Sequence, residues 1–152
     1  MKKVLVTLLA AAALWGAPYQ VGQSVMPLDL SDQFGKKHAM KSMPKTLIMA
    51  FEKGTGATVN DYLAAQGKGY LAQHKAAFVA DISLMPNFIT ESFALPKMRK
   101  YPHTVLLIRD EEQGLRFPGE EGKITVMKFR GNFLTKIDFI ETAAELKKAI
   151  EQ

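Results

Sequence analysis

Three short apolar runs constrain this chain more than anything else in it. They are Thr46-Leu-Ile-Met-Ala-Phe51, Ala77-Phe-Val-Ala-Asp-Ile82 and Thr104-Val-Leu-Leu-Ile108, and stretches of helical spacing separate them. A strand open to water on one side alternates apolar with polar residues, whereas a nearly continuous apolar run of strand length signals cover on both faces. Two strand–helix–strand units in succession call for right-handed crossovers and a parallel core. The first connection begins with a glycine-rich break, Gly54-Thr-Gly56. Thr58 and Asp61 then make a capping pair for a helix whose Val59, Tyr62, Leu63 and Gln66 share a face. Gly67 and Gly69 stop it. The second connection opens at Ser83 and Pro86, carries Phe88, Ile89 and Phe93, and is ended or kinked by Pro96.

On either side of this core the pattern changes. Pro27-Leu-Asp-Leu30, the turn residues Asp32-Gln-Phe-Gly35 and the return Lys37 to Met40 predict an N-terminal β-hairpin. The stretch from Asp110 to Gly122, acidic and holding three glycines and Pro118, predicts a long hairpin loop from which Lys123-Ile-Thr-Val-Met-Lys-Phe129 returns by alternation. Gly131-Asn132 turns the chain, and Thr135 with Asp138 caps a final helix bearing Phe139, Ile140, Ala143, Leu146 and Ile150. The expected architecture is α/β: a mixed sheet with central parallel strands and an antiparallel C-terminal hairpin, flanked by helices, with the N-terminal hairpin at its margin. No repeat, low-complexity tract or linker divides residues 18–152, so a single domain is expected there.

Residues 1–17 read differently. Met1-Lys2-Lys3 is a positive head, and Val4 to Gly16 is an apolar run broken only by Thr7. That length suits the h-region of a secretory signal, while a membrane span needs roughly 20 residues. Cleavage after Ala13, Gly16 or Ala17 remains open, and Trp15 falls within this leader. The mature protein is expected to be exported, to a bacterial periplasm, touching membrane only through an uncleaved leader. The chain has no cysteine, which removes disulfides, thiolate metal sites and every thiol mechanism. The formal charge of +5 includes Lys2 and Lys3, and the remainder is too small to argue for nucleic acid.

The order of elements and several strings resemble the thioredoxin-like superfamily, nearest its exported thiol-reductase and peroxiredoxin-type branches. VGQSVMPLDLSDQFGKKHAM looks like that family's G-x-x-x-P-x-F/L-x-L-x-D-x-x-G-K opening hairpin. TLIMAFEKGTGATV stands where such proteins have their first core strand and the loop with the redox cysteines. YPHTVLLIRDEEQG looks like the cis-proline segment with its strand and glycine turn, and FRGNF like the glycine before the last helix. The resemblance implies a thioredoxin-like domain over residues 18–152. Where the family places Cys-x-x-Cys, this chain has Lys53-Gly-Thr-Gly-Ala-Thr58, so no catalytic residue carries over. The chemistry needs a thiolate, and a threonine hydroxyl is no substitute. Pro102 is the candidate for the cis-proline, although His103 stands between it and Thr104.

The candidate ligand- or partner-binding residues are therefore Lys53, Gly54, Thr55, Gly56, Ala57 and Thr58, facing Lys97, Arg99, Lys100, Pro102 and His103. Glycines let a ligand approach the backbone, and a helix N-terminus offers free N–H groups. Together these residues would form an electropositive crevice for a carboxylate, a phosphate or an extended peptide; equally, they would make a tight strand-to-helix turn with solvated lysines. His38, Met40 and Met43 are candidate Cu(I) ligands by softness, or plain hairpin side chains. The acidic residues Asp110, Glu111, Glu112, Glu120 and Glu121 lack calcium-loop spacing and suit a solvated or partner-docking loop. His74 reads as a surface residue.

The expectation from sequence is an exported, redox-inactive thioredoxin-fold protein that binds a protein or peptide partner in the cell envelope. It needs no cofactor, metal or catalytic residue. The alternatives are an anion or copper carrier, and an enzyme of non-thiol chemistry with His103 as its base.

Overall fold

The computed structural model describes residues 17–152; the expected leader, apart from Ala17, lies outside the described residues. A hairpin of β1 (Asp29–Asp32) and β2 (Lys37–Ala39) comes first, as predicted. Next come β3 (Thr46–Ala50), α1 (Lys53–Gln66), the short α2 (Tyr70–Gln73) and β4 (Ala76–Asp81). A helix then runs from α3 (Asn87–Ile89) through a π-helical turn at Thr90–Ala94 into α4 (Leu95–Met98). The chain closes with β5 (Leu106–Ile108), α5 (Glu111–Leu115), β6 (Ile124–Arg130), β7 (Phe133–Ile140) and α6 (Ala143–Glu151).

The seven strands form one mixed sheet in the order β2-β1-β5-β4-β3-β6-β7. β3, β4 and β5 are parallel neighbours, while β1 and β6 pair antiparallel with β5 and β3. The three apolar runs are thus adjacent, and each sends alternate residues to opposite faces. Ile48, Phe78 and Leu107 enter one core with Val59, Leu63, Leu95 and Leu146. Leu47, Met49, Val79 and Leu106 enter the other, closed by Val25, Leu28, Met43 and Phe117. Cover on both faces is why these strands carry apolar residues without a break.

Three sequence expectations are corrected. β5 does not form a hairpin with β6; it pairs with β1 and β4, and β6 crosses to the other side of β3. The predicted loop 110–122 instead contains α5, capped by the Asp110 carboxylate accepting from the Glu112 amide at 3.0 Å, and buried Phe117 pins the segment to the core. The true C-terminal hairpin is β6–β7, turning at Gly131, whose positive φ of 60° suits a residue without a Cβ. β7 occupies residues assigned by sequence to the last helix, and α6 begins at Ala143. Its cap is Thr142, whose hydroxyl accepts from the Glu145 amide at 3.2 Å. Thr135–Asp138 and Thr142–Glu145 share the capping spacing, but pairing with β6 claims the first.

Candidate functional site

Between β3 and α1 the chain turns within two residues, Phe51 and Glu52. The Gly-Thr segment at 53–58 is therefore not a loop; all six residues are helical, and Glu52 is the extended residue before them. Gly54 and Gly56 read as turn punctuation in sequence, yet neither has a positive φ here. The threonine hydroxyls serve the helix itself: Thr55 Oγ1 donates to the Glu52 carbonyl at 3.1 Å and Thr58 Oγ1 to the Gly54 carbonyl at 3.3 Å. The helix starts without a side-chain cap and without an acidic residue in its first turn. This tip of α1 follows directly on Phe51 and Glu52.

A groove of about 360 Å³ opens against this tip. One wall is the face of α1 carrying Lys53, Gly56, Ala57 and Asn60, at the spacing of one helical stripe. The opposite wall comes from the loop after β4 and the widened helix, with Leu84, Met85, Ile89, Phe93, Lys97 and Tyr101. The widening has a local cause. Pro96 has no N–H, and one residue before it the Leu95 amide bonds the Thr90 carbonyl five residues back instead of four. Much of this apolar wall is open to solvent: Leu84 is 78% exposed and Phe93 61%, and Phe88 beside the lining is 66% exposed, its ring edge to face with that of Phe93 at 5.8 Å.

The sequence-predicted residues divide into two groups. Lys53, Gly56, Ala57 and Lys97 line the groove, while Gly54, Thr55 and Thr58 sit on α1 outside its lining. Arg99 is diverted to the N-terminal hairpin, where its Nε donates to the Gln33 carbonyl at 2.9 Å, and Lys100 is exposed away from the groove. Pro102 and His103 line a separate cavity of about 440 Å³. No peptide bond among the described residues is cis, so Pro102 is trans. The broad electropositive crevice expected from sequence is therefore not formed; the groove is mainly apolar, with Glu52 and Asp81 in its lining beside the two lysines.

His103 lies beneath α1 and is only 5% exposed. Its Nε2 meets Asn60 Oδ1 at 2.9 Å, its ring stacks on Tyr101 with centroids 5.1 Å apart, and its Nδ1 has no partner among the described residues. Burial lowers its pKa to about 4, which makes it a neutral packing residue rather than a base at the groove. Two structural residues escaped the sequence reading. Gln33, 1% exposed, donates from Nε2 to the His103 carbonyl at 2.8 Å and accepts from the Val105 amide at 2.9 Å, tying the hairpin turn to the 98–105 segment. Asn60 joins the groove to His103, and its place on the Lys53–Gly56–Ala57 stripe was the available signal.

Of the copper candidates, His38 Nε2 is held by Asp32 at 2.7 Å, Met40 lines the second cavity with His38, and Met43 is packed in the second core. No cluster of three or more His, Cys, Asp or Glu able to hold a metal occurs among the described residues. Asp32 is itself a turn anchor. Burial raises its pKa, but the His38 contact and the Phe34 and Lys36 amides outweigh that and leave it below the ordinary carboxylate value. His74 is half-buried against Tyr70, their rings 4.6 Å apart, rather than a free surface side chain.

The sheet order, the two crossovers and the terminal hairpins define a thioredoxin-like fold, here in a chain with no cysteine at the tip of α1 or anywhere else. Among solved structures the chain is similar to a thio-disulfide isomerase from Thermus thermophilus, at 19% identity and a TM-score of 0.54 over 88% of this chain and 96% of that one. It is also similar to a SCO1/SenC family lipoprotein from Bacillus anthracis, at 9% identity and a TM-score of 0.54 over 86% and 94%. A third is the peroxidoxin BcpB from Mycobacterium tuberculosis, at 17% identity and a TM-score of 0.51 over 87% and 94%. Identities this low establish the fold alone. No protein-family model and no curated protein matches the sequence. Without a thiol, this chain has no group for thiol–disulfide exchange.

The glycines of α1 yield a direct prediction. A Cβ built at Gly54 or Gly56 meets nothing within 4 Å, and both positions have helical backbone. Gly54→Ala and Gly56→Ala should each stabilise the protein by up to about 1 kcal/mol, read as a raised urea midpoint. A lowered midpoint would mean that the helix does not begin at Lys53.

Proposed function

We propose that this is an exported binding protein: a thioredoxin-fold scaffold that holds an apolar segment of an envelope protein in the groove beside α1, without catalysis. The observation that carries the reading is the groove together with the exposed Leu84, Phe88 and Phe93 around it. A concavity of this size, continuous with exposed aromatic surface, suits a protein partner, because monomers seldom leave such patches uncovered. The leader at 1–17 supports export, and cleavage before the domain is part of the proposal.

Gly56→Leu tests it, because the space above this residue is empty and a leucine there fills the groove without entering the core. Wild-type and Gly56→Leu proteins are tagged and recovered from envelope extracts, with Gly54→Ala as a control outside the groove. The expected result is a partner retained by wild type and Gly54→Ala and lost from Gly56→Leu. An identical set of retained proteins for all three would overturn the reading.

A further inference from the structure

Resting on the groove reading above, we propose that the groove's first occupant is the protein's own leader: while residues 4–16 remain attached they cover it, and their removal opens it to the partner. The charges of the lining ask for an uncharged occupant. Glu52 and Asp81 offset Lys53 and Lys97 around a mainly apolar hollow, so neither an anion nor a cation gains by entering it. The run from Val4 to Gly16 meets that requirement, because it holds no charged residue and Thr7 is its one polar break. Lys2 and Lys3 lie beyond the run.

Where the leader joins the domain gives an independent indication. Two residues after Ala17, the Tyr19 amide donates to the Arg116 carbonyl at 2.8 Å. The Tyr19 ring meets Phe117 edge to face at 5.4 Å, and the Arg116 guanidinium lies over it at 4.7 Å. The segment that clamps Tyr19 also borders the groove. A Cβ at Gly114 would collide with the Asp81 carboxylate, and one at Gly119 would stand 3.1 Å from the Phe51 ring. Asp81 and Phe51 both line the groove. The leader is therefore attached at the end of the sheet where the groove opens, beyond β3 and β4. Its 13 residues reach about 20 Å as a helix and about 45 Å extended, and either length exceeds the roughly 10–12 Å width of α5, the element between Arg116 and Asp81. A tether this short keeps the run at an effective concentration on the order of millimolar, so even weak apolar contact with the exposed Leu84 and Phe93 holds it in place.

Trp15, the sole tryptophan of the chain, lies within the run and reports on it. The full chain with its leader intact, produced without export, is compared with a free peptide of residues 1–17. In the full chain Trp15 emission is expected to be blue-shifted and its quenching by acrylamide about threefold weaker, at every protein concentration, because the contact is intramolecular. Gly56→Leu, which fills the groove, should return the quenching to that of the peptide. Leu84→Asp, at an exposed position, should do the same and serves if Gly56→Leu fails to fold. The full chain should also fail to retain from envelope extracts the partner that the processed protein retains. Trp15 as open as in the peptide, protection that survives both substitutions, protection that grows with protein concentration, or equal retention by full chain and processed protein overturns the proposal. Protection gained only on adding phosphatidylcholine vesicles overturns it in favour of a leader held by membrane. If Trp15 is open while Gly56→Leu still costs the processed protein its partner, the leader inference alone fails. If both substitutions free Trp15 while processed Gly56→Leu loses no partner, the groove reading fails instead.

Discussion

Acidification from about pH 6.5 to about pH 4 is expected to cost the folded protein about 3 kcal/mol through His103 alone. The imidazole is buried beneath α1 with a single side-chain acceptor, Asn60 Oδ1, so the second N–H of an imidazolium would have no partner. Burial thus depresses the folded pKa to about 4, well under the ordinary 6.5 that the unfolded chain retains. Between those values the unfolded state binds more protons, so stability rises with pH across the window. Its contribution is complete above about pH 6.5 and fades as pH falls through about 4. Asp32 behaves similarly at lower pH, because its folded pKa lies below the usual 3.8 and its stabilising effect goes only beneath that value. Urea midpoints at pH 7, 5.5 and 4.5 measure the effect. His103→Gln, which can still donate to Asn60 but cannot titrate, should flatten the profile over this range. An unchanged slope in that variant would remove His103 as the cause.

Replacing Gln33 should have a comparable effect by another route. Its side-chain amide accepts from the Val105 amide and donates to the His103 carbonyl, with a longer contact to the Met98 carbonyl at 3.4 Å. The site is sealed, with Val105 and Gln33 at 0% and 1% exposure. Gln33→Ala would strand two backbone groups in a place water reaches poorly, and each such group costs about 1–3 kcal/mol. A loss of about 2–4 kcal/mol is expected, equivalent to a melting temperature lower by roughly 5–15 °C for a domain of this size. Gln33→Glu is the sharper test. It keeps the side-chain volume and the acceptor for Val105, but turns an oxygen toward the His103 carbonyl, so it should be nearly as damaging. Midpoints within experimental error of wild type for both variants would show that the 98–105 segment is held by something else. Because Tyr101 belongs to that segment and lines the groove, both variants should also weaken partner capture.

The strands and the local turns were legible for a physical reason. A strand buried on both faces must be apolar throughout, so 46–51, 77–82 and 104–108 announced themselves and their adjacency. The Asp32–Gly35 turn and the Gly67 and Gly69 stops follow from backbone preferences confined to a few residues. Errors arose wherever one local pattern had two uses. Gly54-Thr-Gly56 is turn-like in isolation, but β3 feeds directly into a helix that absorbs both glycines. Thr135–Asp138 and Thr142–Glu145 are both capping pairs by spacing, and only the partner strand β6 shows that the first lies in β7. Asp110–Gly122 has the composition of a loop, although Asp110 caps a helix within it and Phe117 is core.

The candidate site divides along the same line. Lys53, Gly56, Ala57 and Lys97 were foreseen at the groove, while Arg99, Pro102 and His103 were foreseen there and lie elsewhere. Sequence by itself determined that this chain performs no thiol chemistry, since the absence of an atom type needs no coordinates. It also determined a parallel core with two crossovers, because burial on both faces is written into composition one strand at a time. Only the tertiary structure decided that the tip of α1 borders an apolar groove, that His103 lies under the helix instead of across from it, and that Gln33 and Asn60 hold these parts in place. Those facts depend on contacts between residues tens of positions apart, and single side chains carry no local mark of a partner that only folding brings near.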